Sequence, residues 1–205
     1  VLSSHRSAVT STLTASRARA LPALFATVLT ALVARVGFLA WEPRFPLRPE
    51  DLTAAYWPAN LYVGGPAFLL TFLGTAVFLV VLARGVLAWA AGVLVAAGGI
   101  LFSLVIVAEA LPYAYAVGDP AEVERVNQAT AALVPTIVGT QVAIGLGVAI
   151  GLVGMLVARS VPRWFPIVGL LYLVVFFALP VDLGLPGELA QTALLVGIGW
   201  FAVRR

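Results

Sequence analysis

TAALVPTIVGTQVAIGLGVAIGLVGMLVA, residues 130–158, contains no charged side chain and is closed by Arg159. A helix rises about 1.5 Å per residue and a bilayer's hydrocarbon core is about 30 Å thick, so roughly 20 apolar residues cross it. This stretch is long enough to do so, and it is rich in glycine and alanine rather than broken by turn residues. Working outward from it, five more such runs follow from length and punctuation: 20–40, a run starting at Leu61 or Pro66 and ending at Leu82, 86–111, 164–179 and 187–203. The sequence therefore predicts an all-α, polytopic membrane bundle of six transmembrane helices. Its composition agrees. With 62% hydrophobic and 10% charged residues, a soluble domain of this length could not cover its surface.

Charge gives the expected orientation. All nine acidic residues fall in or beside the breaks assigned to the outer face, whereas eight of the twelve arginines fall on the other: Arg6, Arg17, Arg19, Arg84, Arg159, Arg163, Arg204 and Arg205. The positive-inside rule then predicts cytoplasmic termini, with 1–19 a flexible cytoplasmic tail and 20–205 the transmembrane domain. The pI near 9.8 reflects these loop arginines, so nucleic acid is not an expected partner. Expected partners are membrane lipids, a lipophilic small molecule, and another copy or a different chain in an oligomer. A composition dominated by Ala, Gly, Val, Leu and Arg, without Lys, fits a bacterial coding bias and thus the bacterial cytoplasmic membrane.

Missing residues exclude chemistry. Without cysteine there are no disulfides or thiolate sites, and without lysine no Schiff base or P-loop. The lone histidine, His5, lies in the tail, which disfavours a Ser-His-Asp hydrolase. No inverted repeat is visible, and only Arg35 and Gln141 are polar deep inside, so a transporter ranks low.

Small residues at four-residue spacing, Ala88/Gly92/Ala96 and Ala143/Gly147/Gly151, let helix backbones approach closely in lipid. They predict that the third and fourth spans pack together, with a homodimer seam as the alternative. Pro135, one turn into the fourth span, is expected to kink it.

Arg35 is the most unusual residue, falling inside the first span near its outer end. An arginine deep in lipid costs about 2.5–3.5 kcal/mol, so it should face protein or reach outward. Glu109 and Asp182, at the ends of the third and fifth spans, are its candidate partners. Glu188 is placed in the first turn of the sixth helix, where the helix dipole favours a carboxylate, with Gln191 one turn inward. The first outer loop, 41–60, and the second, 112–129, are each expected to carry a short interfacial helix or lid. Aromatics at that level, including Trp41, Tyr62 and Tyr113, form either an interfacial belt or the mouth of a pocket.

Two resemblances follow. The stretch Val161-Pro-Arg-Trp-Phe-Pro-Ile-Val-Gly, then a span, a Leu-Gly-Leu-Pro break and a final Gly-Trp-Phe-Ala-Val-Arg, resembles a broad group of uncharacterised bacterial multi-pass membrane proteins. It covers about 45 residues of the C-terminal third and implies topology alone. Asp182 is similar to the late acidic residue of small integral-membrane terpene cyclases, though no motif around an early Glu matches them.

These readings converge on a pocket for a lipophilic molecule. As an enzyme, it would run acid–base chemistry such as isoprenoid cyclisation, without cofactor or metal. Asp182, Glu109 and Glu42 are the candidate catalytic carboxyls, because burial raises a carboxyl pKa and keeps a proton available. Arg35, Trp41, Tyr62, Tyr113, Gln141 and Phe176 are the candidate binding residues, the aromatic faces suiting a developing cation. A lipid-binding or accessory subunit needs only the packing seams, the belt and the loops.

Overall fold

A computed structural model describes residues 2–178 and 184–205, with side chains from Arg19 onward. The chain is helical: α1 (Leu2–Trp41), α2 (Tyr56–Ala59), a π-helical turn (Asn60–Gly64), α3 (Gly65–Leu82), α4 (Gly85–Ala110), α5 (Tyr113–Ala116), α6 (Pro120–Ala131), α7 (Val134–Ala158), α8 (Trp164–Ala178) and α9 (Gly184–Val203). Among the described residues, four stretches are long and apolar enough to cross a membrane: Arg19–Trp41, Tyr56–Leu82, Gly85–Ala116 and Val134–Ala158. The shorter α8 and the more polar α9, which carries Glu188 and Gln191, complete the bundle.

Three boundaries differ from the sequence reading. The segment expected to be a flexible tail continues α1 back to Leu2. The second span begins at Tyr56, because the π-helical turn joins α2 to α3 without a break. Pro135 does not kink the fourth span. Helix α7 starts at Val134, so the proline occupies the first turn, where its missing N–H has no helical partner to lose.

The bundle is apolar outside and partly polar inside. Val33, Trp89, Leu101, Leu104 and Val174 are exposed, whereas Arg35, Asn60, Thr71, Thr75 and Ser103 are buried. Many large apolar side chains on the surface of all the long helices fit a multi-pass membrane protein with lipid as its outer solvent. Two of the buried hydroxyls bond back to their own helices, Thr75 Oγ1 donating to the Thr71 carbonyl (2.8 Å) and Ser103 Oγ to that of Gly99 (2.7 Å), whereas Thr71 Oγ1 has no partner among the described residues. Such local bonds satisfy those two without a cross-helix partner.

Helix α3 is the axis, and Phe78, Leu79 and Leu82 on it are wholly buried. As expected, α4 packs along α7. A Cβ on Gly147 would stand 3.0 Å from the Val95 backbone nitrogen, and one on Gly98 3.3 Å from the Thr140 carbonyl oxygen. The seam is not the pair of stripes read from the sequence, however. Gly92 lies against Ala76 and Val80 of α3, and Gly151 against Leu79, so those two glycines fit α4 and α7 onto the axis. Gly147 is spent inside the subunit and is not a homodimer seam.

Charge segregates to the two ends. At one, Arg205 Nη1 donates to the carbonyls of Val81 (2.6 Å) and Leu82 (3.1 Å), closing the C-terminus of α3 beside the turn that holds Arg84. At the other, the loops fold into a cap with its own core of Leu47, Leu52, Tyr56, Tyr113, Val123 and Val126. The second loop does carry a short helix, α6, capped by Asp119, whose Oδ1 accepts from the backbone nitrogens of Ala121 (3.0 Å) and Glu122 (3.2 Å). Asn127 ties the loops together: its Oδ1 accepts from Leu47 N (3.1 Å) and Tyr113 Oη (2.7 Å), and its Nδ2 donates to Leu47 O (2.9 Å).

Candidate functional site: a cavity around Arg35

Helices α1 and α9 run antiparallel, with Trp200 and Gly199 beside Phe25. Roughly three turns further along α1, that register brings Arg35 level with Glu188 on α9. Arg35 Nη2 meets Glu188 Oε2 at 2.6 Å and also donates to Gln191 Oε1. Arg35 is only 2% exposed. Its guanidinium also lies over two rings of α3, 4.9 Å from the Phe68 centroid and 5.6 Å from that of Phe72. An ion pair plus two aromatic faces explains how a cation is held in this interior.

Glu188 is a partner that the sequence reading did not name for Arg35. Glu109, at the end of α4, does not meet Arg35, and Asp182 lies outside the described residues. Glu188 is also deeper in its helix than the sequence reading had it: α9 starts at Gly184, which puts Glu188 beyond the first turn. The sequence carried this signal in Glu188 and Gln191, three apart and therefore on one helical face. It lacked the α1–α9 register that aims them at Arg35.

A cavity of about 160 Å³ opens beside the ion pair. All six long helices contribute to it, and most of its wall is aromatic or aliphatic, with Phe68, Phe72, Phe102, Tyr172 and Phe176 prominent. Tyr172 Oη donates to the Gly187 carbonyl (3.2 Å), linking α8 to the start of α9. The polar groups at the cavity are concentrated in Arg35, Glu188 and Gln191, with Gln141 contributing from α7. One feature of Arg35 stands out. Its Nε and Nη1 are buried and have no hydrogen-bond partner among the described residues. A buried donor left unpaired costs about 1–3 kcal/mol, more when charged, so these N–H groups call for an acceptor.

Of the nine candidate residues, Arg35, Gln141 and Phe176 line this cavity. Tyr62 is 75% exposed and points away from it, in keeping with an interfacial belt. Trp41 is half exposed and packs on Phe38, ring centroids 5.9 Å apart. Tyr113 is wholly buried in the cap, edge-on to Tyr56 at 5.6 Å, and its hydroxyl is taken by Asn127. It does not line the cavity, whose aromatic wall comes from phenylalanines of α3, α4 and α8 with Tyr172. Glu42 and Glu109 do come together, but beneath the cap rather than at the cavity. Burial, and then repulsion from the Glu109 carboxylate, push the Glu42 carboxyl up to about 7.

No protein-family profile, curated protein or solved structure matches this chain.

Proposed function

We propose that this chain is a six-helix protein of the bacterial cytoplasmic membrane, with both termini inside, that binds a lipophilic small molecule in the cavity around Arg35. The observation that carries this reading is a buried Arg35 whose Nε and Nη1 have no partner among the described residues, at the wall of a mainly apolar, aromatic cavity. Concave sites lined by apolar side chains with a few convergent polar groups are the usual form of small-molecule sites. The orientation is supported by the clustering of Arg84, Arg204 and Arg205 at the end opposite the acidic cap.

The test is direct. Protein purified in mild detergent is extracted and its bound lipophiles are identified by mass spectrometry, beside Arg35→Leu. The wild type should retain a lipophile enriched over bulk lipid, and monodisperse Arg35→Leu should lose it. A wild type that carries nothing beyond bulk lipid refutes the proposal.

Acid–base chemistry on that molecule is the second reading, favoured by the position of the Glu188 carboxylate on the aromatic wall. Its ion pair with Arg35 fixes Glu188 Oε2 at the cavity wall, where a base acting on a bound molecule would stand. Glu188→Gln would then abolish turnover of the extracted molecule while leaving it bound. Turnover unchanged in that variant removes the enzymatic reading.

A further inference from the structure

A second concavity lies against the first. It is a groove of about 300 Å³ between α7 and α8, on the outer, lipid-facing surface, and no polar side chain lines it. Gly145, Leu173 and Phe177 belong to both the groove and the Arg35 cavity. Phe177 is the partition. A Cβ on Gly145 would stand 2.4 Å from its Cε2 and Cζ, so the edge of its ring abuts the bare glycine backbone. It is also 48% exposed, so its outer side faces the groove.

Resting on the binding function proposed above, we infer that the occupant is a neutral, single-chain amphiphile. Its small oxygen-bearing head sits on Arg35, and its hydrocarbon tail leaves through a portal between α7 and α8 that Phe177 gates. Size argues for the tail's path. A cavity of about 160 Å³ is close to the ~150 Å³ apolar cavity that accommodates benzene, so it takes a head of one-ring size and no chain. The adjoining groove has the volume and the wholly apolar lining that a chain needs.

Charge argues for the head. Glu188 already neutralises Arg35, so an anionic head would find no net positive charge, whereas a carbonyl or hydroxyl oxygen could accept from Nε and Nη1. Access from the side also fits the acidic end, where the interlocked cap of Leu47, Tyr113 and Asn127 covers the bundle.

The experiment uses full-length protein in nanodiscs and photoreactive hexadecanol, with the diazirine placed either beside the hydroxyl or at mid-chain, and hexadecanoic acid at pH 8 as the charged counterpart. Labelled sites are mapped by peptide mass spectrometry. The head-proximal alcohol should mark Phe102 and Ile106 in the cavity, and the mid-chain alcohol Leu146 and Val174 in the groove. Phe177→Trp should reduce cavity labelling several-fold and Phe177→Ala should increase it, with labelling of lipid-facing Leu101 and Leu104 unchanged in both.

Cavity labelling indifferent to both Phe177 variants overturns the portal and leaves the binding site standing. Cavity labelling by the acid equal to that by the alcohol overturns the neutral head. No cavity labelling in the wild type overturns the inference and the proposed binding function together.

Discussion

Removing the Glu188 charge should destabilise the protein more than removing the Arg35 charge. Arg35 is 2% exposed, whereas the Glu188 side chain keeps 30% of its surface open. In Glu188→Gln, a buried guanidinium loses its counter-ion and retains Gln191 and the faces of Phe68 and Phe72. Breaking a buried pair this way costs about 3–5 kcal/mol, and two aromatic contacts worth about 0.5–2 kcal/mol each offset part of it. The expected loss is about 2–3 kcal/mol. In Arg35→Met the remaining carboxylate can hydrate through its open face, so the loss should be about 1 kcal/mol or less, as for a partly exposed pair. The double variant should resemble Arg35→Met, which leaves a coupling of about 2 kcal/mol in the cycle. Reversible unfolding in mixed detergent–SDS micelles measures all four species. Equal single losses, or a double variant that is simply additive, would refute this view of the pair.

Three further predictions concern packing, the cap and pH. Gly147→Ala should cost about 1–3 kcal/mol, because the new methyl meets the Val95 backbone nitrogen at 3.0 Å, while Gly139→Ala, with nothing within 4 Å, should gain about 0.5–1 kcal/mol; comparable effects in the same unfolding assay would contradict the seam. Asn127→Ala leaves Leu47 N and O and the Tyr113 hydroxyl without their partner, a loss of about 2–3 kcal/mol, and should make the 41–55 segment sensitive to protease added at the cap side; an unchanged digestion pattern counts against the clamp. Because the folded state holds the Glu42 proton more tightly than the ordinary carboxyl value of 4.5, stability from this group is complete below that value and declines as pH rises to about 7. Glu42→Gln should therefore flatten the fall in melting temperature between pH 5 and pH 8, and an identical slope in both proteins would exclude the effect.

The apolar runs made the long apolar helices legible, since length and charge-free composition are properties of each segment alone. The α4–α7 contact was legible for the same local reason: glycine and alanine on a helix leave a groove whoever fills it. Which groove met which helix was not, and Gly92 turned out to serve α3. Arg35 stood out because an isolated cation in an apolar run demands compensation. Its pairing with Glu188 depended on α9 starting at Gly184 and lying antiparallel to α1, a register no single segment encodes. The place of Tyr113 was hidden for the converse reason. At a helix end an aromatic reads as belt or pocket mouth, and only the folded cap reveals the Asn127 amide waiting for its hydroxyl.

Because Asn127 joins residues eighty positions apart through both edges of one amide, neither loop of the cap has a surface of its own. Antibodies raised against a linear peptide from 41–55 or from 120–131 should recognise the denatured chain on a blot and ignore intact cells or proteoliposomes. Binders selected on the native protein should show the opposite preference, and would make useful chaperones for imaging a particle this small.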